Sequence, residues 1–447
     1  MQPATPTGVG WHAPLEGGLS PLSPDQATLA RFWTALDDPL LSQLVERALV
    51  ANYDVALAEA RLRQARALRK VAIGAFFPEV TGGAGARRTH ANGATPRVDN
   101  NFDLYSASID ASWEIDVFGR LRRGLEAANA ERDAADEGLR DAQVSLVAEV
   151  ALAYVDLRSL QERLRVAEAT LASQTETFDL TNWRAEAGLT TVLDVEQARA
   201  SLAITSSTIP SLRTALTADM NALAVLAGEE PGALDESLSP PQRIPVTPRE
   251  VAVGVPAEAL GQRPDVRRAE RLLAAETARI GVVTADAYPT LNALGSIGLE
   301  SLTPGGLFKV GAWTGTMAAN ATQTLFAGGQ IMANIEAQDA VRDQALASYR
   351  TTVLAALNEV ENALVAYAQE QDRLQVLAEG EAAAERALTL AQDQYGSGLI
   401  DFATVLEAQR QLFVLQDQLA ASEGQVTSNL IRIYKAIGGG WTHEATS

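Results

Sequence analysis

The sequence predicts an α+β protein built from long antiparallel coiled-coil helices and pairs of antiparallel strands, and three observations predict it. The first is an internal repeat. Asn52-Tyr53-Asp54-Val55 opens a helical run ending at Phe77-Pro78, and Arg263-Pro264-Asp265-Val266 opens another ending at Tyr288-Pro289, with equal spacing from Asp to Pro. Gly188 and Gly228 recur as Gly398 and Gly438, and Glu196-Gln197-Ala198-Arg199 recurs loosely as Glu407-Ala408-Gln409-Arg410. A period of about 210 residues is too long for a solenoid unit and marks a duplicated subunit. The second observation is a lack of helix breakers. No proline falls between Pro96 and Pro210 and no glycine between Gly138 and Gly188; no proline follows Pro304, and no glycine falls between Gly329 and Gly380. An interior proline costs about 3 kcal/mol and a glycine about 1, so these runs read as very long helices. The third is a switch of period. Tyr105, Ala107, Ile109, Ala111, Trp113 and Ile115 alternate with Ser106, Ser108, Asp110, Ser112, Glu114 and Asp116, the two-residue period of a strand with one apolar face.

In chain order, residues 1–30 form an extended tail carrying Pro3, Pro6, Pro14, Pro21 and Pro24. The first repeat, 31–228, starts at Phe32-Trp33, and Asp37-Asp38-Pro39 opens its first helix. Its strands are expected at about 79–90, with Val80, Gly82, Ala84 and Ala86 on one face, and at about 102–116. A polar loop with Asn92-Gly93 and Asn100-Asn101 joins them. Helices follow at about 120–184 and 191–227. Residues 229–261 are a proline-rich connector in the equatorial region, either a belt around the helical body or an irregular linker. The second repeat, 262–438, has strands at about 290–300 and 311–323, with Trp313, Gly315, Met317, Ala319 and Ala321 on one face, and helices at about 330–394 and 401–436. Residues 439–447 are a C-terminal tail. Leu146, Val150, Ala153, Leu157, Leu160 and Leu164 mark an antiparallel coiled-coil stripe, and the excess of Ala over Leu favours close helix approach in a thin wall.

Four strands of about ten residues are long enough to cross a bilayer when tilted. They cannot close a barrel, and an open edge is not tolerated in lipid, so a membrane barrel would have to be shared between subunits. The same periodicity serves a soluble four-stranded sheet with one wet face equally well. No stretch approaches the roughly 20 apolar residues of a spanning helix. Met1-Gln2-Pro3-Ala4 shows no leader pattern, so either the chain is cytoplasmic or a leader has been removed; the strands favour the latter.

Composition excludes several classes of function. There is no cysteine for a disulfide, a thiolate nucleophile or a zinc-thiolate site, and a net charge of −20 opposes a nucleic-acid partner. His12, His90 and His443 are dispersed, without any metal spacing, and no GxSxG, Walker A or complete GxGxxG occurs. Gly82-Gly83-Ala84-Gly85 lies in a strand, where glycine marks packing or a bend. No enzymatic centre, cofactor or metal is expected.

The chain resembles the TolC-type outer-membrane efflux factors of tripartite export pumps, nearest their lipoprotein (NodT-like) branch. The resemblance covers about residues 31–441 and rests on Phe32-Trp33 with Asp38-Pro39-Leu40, on Trp113-Glu114-Ile115-Asp116-Val117-Phe118-Gly119-Arg120, on Gln262-Arg263-Pro264-Asp265-Val266 with Ala269-Glu270, on Ala285 to Leu291 around Pro289, and on Ile433-Tyr434-Lys435-Ala436-Ile437-Gly438-Gly439-Gly440-Trp441. It implies a trimer whose twelve strands, four per protomer, form one transmembrane antiparallel β-barrel above a coiled-coil tunnel. The localisation implied is the bacterial outer membrane, reaching into the periplasm. The branch begins with an acylated cysteine that this sequence lacks, so the sequence is expected to begin just after it.

The resemblance also implies the sites. Ala187, Gly188, Leu189 and Thr190, with Ser397, Gly398, Leu399 and Ile400, match the periplasmic tips that meet an adaptor protein. Glu407 and Arg410 match a carboxylate–arginine layer at the tunnel's narrow end, and Ala403 matches an apolar ring position. Because alanine is small, the tightest point is expected at Asp401 or Phe402 instead. Taken by themselves, Glu407 and Arg410 are an exposed i,i+3 pair on one helix. The implied function is a passive exit duct for small toxic compounds such as drugs. Its expected partners are two further copies of the chain, a periplasmic adaptor (membrane fusion) protein, an inner-membrane pump driven by protons, and outer-membrane lipid. The alternatives are the channel of an ATP-driven protein secretion system and, from another class, a soluble coiled-coil scaffold without a pore.

Overall fold

The computed structural model describes residues 10–23, 25–90, 102–248 and 251–441. The loop expected around Asn92-Gly93 and Asn100-Asn101, residues Pro3, Pro6 and Pro24 of the tail, and His443 lie outside the described residues. The elements in chain order are β1 (Leu19–Ser20), α1 (Gln26–Ala30), α2 (Pro39–Ala51), α3 (Tyr53–Gly74), β2 (Glu79–Thr89), β3 (Phe102–Ile115), α4 (Arg120–Glu186), α5 (Val192–Leu226), α6 (Asp235–Leu238), β4 (Val251–Ala252), α7 (Pro256–Gln262), α8 (Pro264–Ala285), β5 (Thr290–Ser301), β6 (Trp313–Thr322), α9 (Gln330–Gly396) and α10 (Phe402–Ala436). Helices α4 and α9 each hold 67 residues, about 100 Å at 1.5 Å per residue. Helix α4 passes through Gly124 and Gly138, and α5 passes through Pro210.

Contacts divide the chain into two compact units, and each draws on both repeats. The first takes the segments up to Glu59, Glu137–Arg267, and from Thr352 onward. Its core holds Phe32, Leu36, Leu41, Val45, Tyr154, Leu157, Leu223, Leu364, Leu430 and Ile431. Phe32 stacks on Tyr434 with centroids 5.0 Å apart. Asp38 explains the Asp-Pro signal: its carboxylate caps α2 by accepting from the amides of Leu40 and Leu41, and it also accepts from the Tyr154 hydroxyl at 2.7 Å. Arg158, fully buried, donates to Tyr154, Gln161 and the carbonyls of Leu238 and Pro240, which pins the connector to α4. The connector thus carries order of its own, with α6, α7 and a parallel β1–β4 pair. The N-terminal segment is held to α9 where Glu361 accepts from the amides of His12 and Ala13.

The repeat is visible in how each half closes. Asn52 caps α3 and donates to the Leu226 carbonyl at the end of α5, while Arg263 pairs with Asp265 and donates to the Ala436 carbonyl at the end of α10. Different side chains satisfy equivalent helix-end carbonyls that would otherwise lack a donor. Gly228 and Gly438 pass so close to Ala51 and to Gln262–Arg263 that a Cβ would clash or crowd there.

The second unit contains residues 60–136 and 268–351. It carries one four-stranded antiparallel sheet in the order β2-β3-β5-β6. Beside it, Arg69 donates to Asn129 at 2.6 Å, Gln338 donates to Glu276 at 2.8 Å, and Arg279 bridges Glu131 and Glu276.

Candidate functional site

The sheet register sorts most strand residues the same way; exceptions include Leu104 and Leu294 on the polar side and the Arg88–Asp103 ion pair on the apolar side. Ile109 pairs with Gly82 on one side and Ile297 on the other, and Ile297 pairs with Gly315. Alternate residues of a strand face opposite sides. One face therefore gathers Val80, Ala84, Tyr105, Ala107, Ile109, Trp113, Leu291, Ile297, Leu299, Trp313 and Met317, and the other gathers Thr81, Ser106, Ser108, Asp110, Glu114, Asn292, Ser296, Glu300, Thr316 and Asn320. Among the described residues the apolar face is left uncovered: Val80, Ile109, Ile297, Trp313 and Met317 are all exposed, Met317 at 93%. Aromatic residues bound it at both ends. Tyr105 and Trp313 stand near the β5–β6 connection, while Trp113 stands at the helical end, where Phe118 stacks on Tyr288 at 5.1 Å. Tyr105 and Trp113 are separated by about 27 Å of strand, which at the usual tilt spans roughly 20 Å, close to the ~25 Å apolar band of a membrane barrel. Among the described residues no helix is long and apolar enough to cross a membrane.

The strand-to-helix junction is fixed by the residues of the Trp113–Arg120 motif. The Trp113 indole donates to the Phe76 carbonyl at 2.9 Å, Glu114 pairs with Arg120, and Asp116 accepts from the amides of Leu121 and Arg122 at the start of α4. A carboxylate at a helix N-terminus satisfies free amides and complements the dipole.

The hairpin tips are built alike in both repeats. Gly188 and Gly398 each adopt φ of +72°. Gly188 and Leu189 donate to Ala185 and Arg184, and Gly398 and Leu399 donate to Tyr395 and Gln394, the paired bonds of a Schellman stop. Ala187 and Ser397 follow the last residues of the long helices and donate to Trp183 and Asp393, Thr190 donates to Asp194 at 2.5 Å, and Leu189 and Leu399 are 72% and 75% exposed. Ile400 packs against the tip cluster of Ala391, Phe402, Val405 and Leu406. The caps that follow exchange residues. Thr191 caps α5 with Asp194 at the third position, whereas Asp401 caps α10 with Thr404 at the third position. Hydrogen bonds from Thr190 and from Thr404 hold the Asp194 and Asp401 carboxyls below the usual range.

The residues expected at a constriction separate into two groups. Phe402 is 4% exposed and tilts against Tyr395, whose ring also carries the Arg184 guanidinium at 5.0 Å. Asp401, Ala403, Glu407 and Arg410 are exposed, and Ala403, Glu407 and Arg410 share one face of α10. Arg410 donates to Glu407 at 2.9 Å, with Gln411 donating to the other carboxylate oxygen at 3.4 Å. Bonds that no sequence pattern marks tie α10 to α4. Gln409 donates to Thr177 at 3.0 Å, Arg163 grips Asp417 at 2.8 and 3.1 Å, and Ser159 donates to the Ala420 carbonyl beside Gly424, where a Cβ would clash with Ser159. These partners stand more than 200 residues apart, so no local signal announces them.

Strands with one bare apolar face, carried on long helical hairpins, define a TolC-type outer-membrane channel subunit. The family model described as outer membrane efflux protein matches residues 44–229 and 255–439, and the chain belongs to that family. It is similar to the toluene efflux pump outer membrane protein TtgF of Pseudomonas putida, with 31% identity over 449 residues covering 99% of this chain and 93% of that protein. It is similar also to nodulation protein T of Rhizobium leguminosarum bv. trifolii, with 31% identity over 433 residues covering 95% and 91%. Among solved structures it superposes on the outer-membrane channel OprN with a TM-score of 0.92 and 35% identity, covering 99% of both chains. The protein is an outer-membrane efflux component.

Proposed function

We propose that three copies of this chain close one twelve-stranded barrel and form a passive exit duct of a tripartite efflux pump, each repeat supplying one strand pair and one helical hairpin. The two-faced register carries this reading. A four-stranded sheet with a bare apolar face and two open edges is unstable alone in lipid. In the antiparallel order β2-β3-β5-β6, the edge strands β2 and β6 run in opposite directions, so β6 of one copy can pair with β2 of the next. The polar face, with Asp110, Glu114 and Glu300, would then line the lumen.

In this reading the tips at Ala187–Thr190 and Ser397–Ile400 dock a periplasmic adaptor, and an inner-membrane pump driven by protons supplies the energy. Asp401, Ala403, Glu407 and Arg410 narrow the lumen, while Phe402 wedges the hairpin from within. The cargo is a small toxic compound of the kind named for the relatives, such as toluene; the duct performs no chemistry on it. The test is native mass in detergent together with planar-bilayer conductance. A particle of three 47.4 kDa chains that conducts ions is expected. A water-soluble, monodisperse monomer would sink the proposal.

A further inference from the structure

The β5–β6 connection, residues 302–312, reads Leu-Thr-Pro-Gly-Gly-Leu-Phe-Lys-Val-Gly-Ala and contains no acidic residue in a chain of net charge −20. It is not a slack loop. Gly306 donates to Thr303, Lys309 to Gly306 and Ala312 to Lys309, closing two successive 3-10 turns at Pro304–Gly306 and Val310–Ala312. This ordered backbone holds large apolar side chains away from the other described residues: Leu302 is 62% exposed, Phe308 85% and Val310 100%. Water is a poor solvent for such groups, so a fixed display of three of them calls for an apolar partner.

We propose that this connection is a lipid-docking element, with Phe308 and Val310 in the acyl boundary of the outer leaflet and Lys309 on a lipid phosphate. The proposal rests on the barrel reading and names the segment by which the chain meets the outer leaflet. Continuity argues for lipid as the occupant. The connection leaves the sheet at Ser301 and re-enters at Trp313, beside the aromatic end of the apolar face, where Trp313 pairs with Leu299. Aromatic residues at that position mark the headgroup level of a membrane barrel. The connection therefore begins at the interface. Its composition, apolar side chains flanking one cation, matches segments that lie in the headgroup layer and not beyond it. A lysine there can bury its stem while its ammonium reaches a phosphate oxygen.

The absence of cysteine allows a clean test. Val310→Cys and, separately, Met317→Cys would be labelled with a small fluorophore and reconstituted into vesicles of phosphatidylcholine and phosphatidylglycerol with brominated acyl chains. Val310 is fully exposed, so its replacement leaves no cavity. Bromolipid is expected to quench both labels about two-fold or more, with aqueous iodide weak at both, and Lys309→Glu is expected to reduce quenching at position 310 by about half while sparing position 317. Quenching at 317 with a label at 310 that responds only to iodide would overturn the lipid contact while leaving the barrel intact. A label at 310 shielded from both quenchers would also overturn it, placing the segment against a neighbouring copy. Loss of bromolipid quenching at both positions would overturn the barrel reading, and this proposal with it.

Discussion

Glu407 and Arg410 are 53% and 56% exposed and bonded at 2.9 Å within one helix. Such a pair is worth about 0 to 1 kcal/mol. In a closed ring where Arg410 of one copy turned to Glu407 of the next, threefold repetition would sum to at most ~3 kcal/mol, a shift of up to about 150-fold in the closed-to-open ratio. Arg410→Ala is therefore expected to raise open-channel occupancy at low salt, and high salt to shift the wild type the same way. Equal closed occupancy in wild type, Arg410→Ala and Glu407→Ala single-channel recordings would reduce the pair to helix surface. A second residue-scale prediction concerns Asp219, whose carboxyl burial, with Asp156 nearby, pushes up to about 6. Burial raises Asp156 as well, against the pull of the Arg432 guanidinium. A raised carboxyl penalises the fold while ionised, so the penalty is present above about pH 6, fades as pH falls through that value, and is gone below the unfolded pKa. Asp219→Asn is expected to raise the thermal midpoint by about 1–2 °C near pH 7.5, the half-exposed site limiting the gain, with the difference about halved near pH 5 and gone near pH 4. A difference that grows on acidification would contradict this.

At the scale of elements, both hairpins reverse through one motif with different residues around it. Thr191 with Asp194 and Asp401 with Thr404 make the same cap with the roles exchanged, because either side chain can accept the amide of the third helical residue. The glycine does not exchange. At φ of +72° a side chain is strained, yet a Cβ at Gly188 or Gly398 would meet nothing within 4 Å. Gly188→Arg and Gly398→Arg are thus expected to leave the assembly intact while abolishing export, since the added side chain projects from the tip. Asn, which tolerates this conformation, should disturb the turn least. Normal export in both Arg variants would remove the docking role of the tips.

At the scale of the whole molecule, two helices carry exposed apolar stripes among the described residues. Helix α9 exposes Leu354, Val365, Val376 and Leu390, and α5 exposes Leu193, Ile204 and Val225. Spacings of 11, 11 and 14 residues on α9, and of 11 and 21 on α5, keep each stripe within about 60° on one side of its helix. The stripes are similar in length, about 50 Å, and in a ring the α9 stripe of one copy would meet the α5 stripe of the next. Ile204 and Ala383 lie nearly equally far along the chain from Gly188 and Gly398, so Ile204→Cys with Ala383→Cys is expected to cross-link neighbouring copies under mild oxidation. A trimer by mass that yields no cross-linked species would place the seam elsewhere.

Much of this was legible in the chain because its determinants are local. Breaker-free runs set the long helices, which end at Glu186 and Gly396 where the sequence expected about 184 and 394. Two-residue alternation marked the strands, although the last begins at Trp313 because residues 310–312 coil into a 3-10 turn. Glycine at each tip followed from the positive φ a tight helical reversal requires. What the sequence could not give is which face meets which. Alternation defines an apolar side for each strand separately, and only the register shows that all four sides coincide. The Glu407–Arg410 pair is local and could be read, whereas Phe402 turned inward on Tyr395, and the Gln409–Thr177 and Arg163–Asp417 bonds, join segments whose proximity is set by packing. Local propensity fixes an element because its free energy is summed along the chain; long-range contacts depend on how whole elements bury their faces, a choice made only when the elements meet.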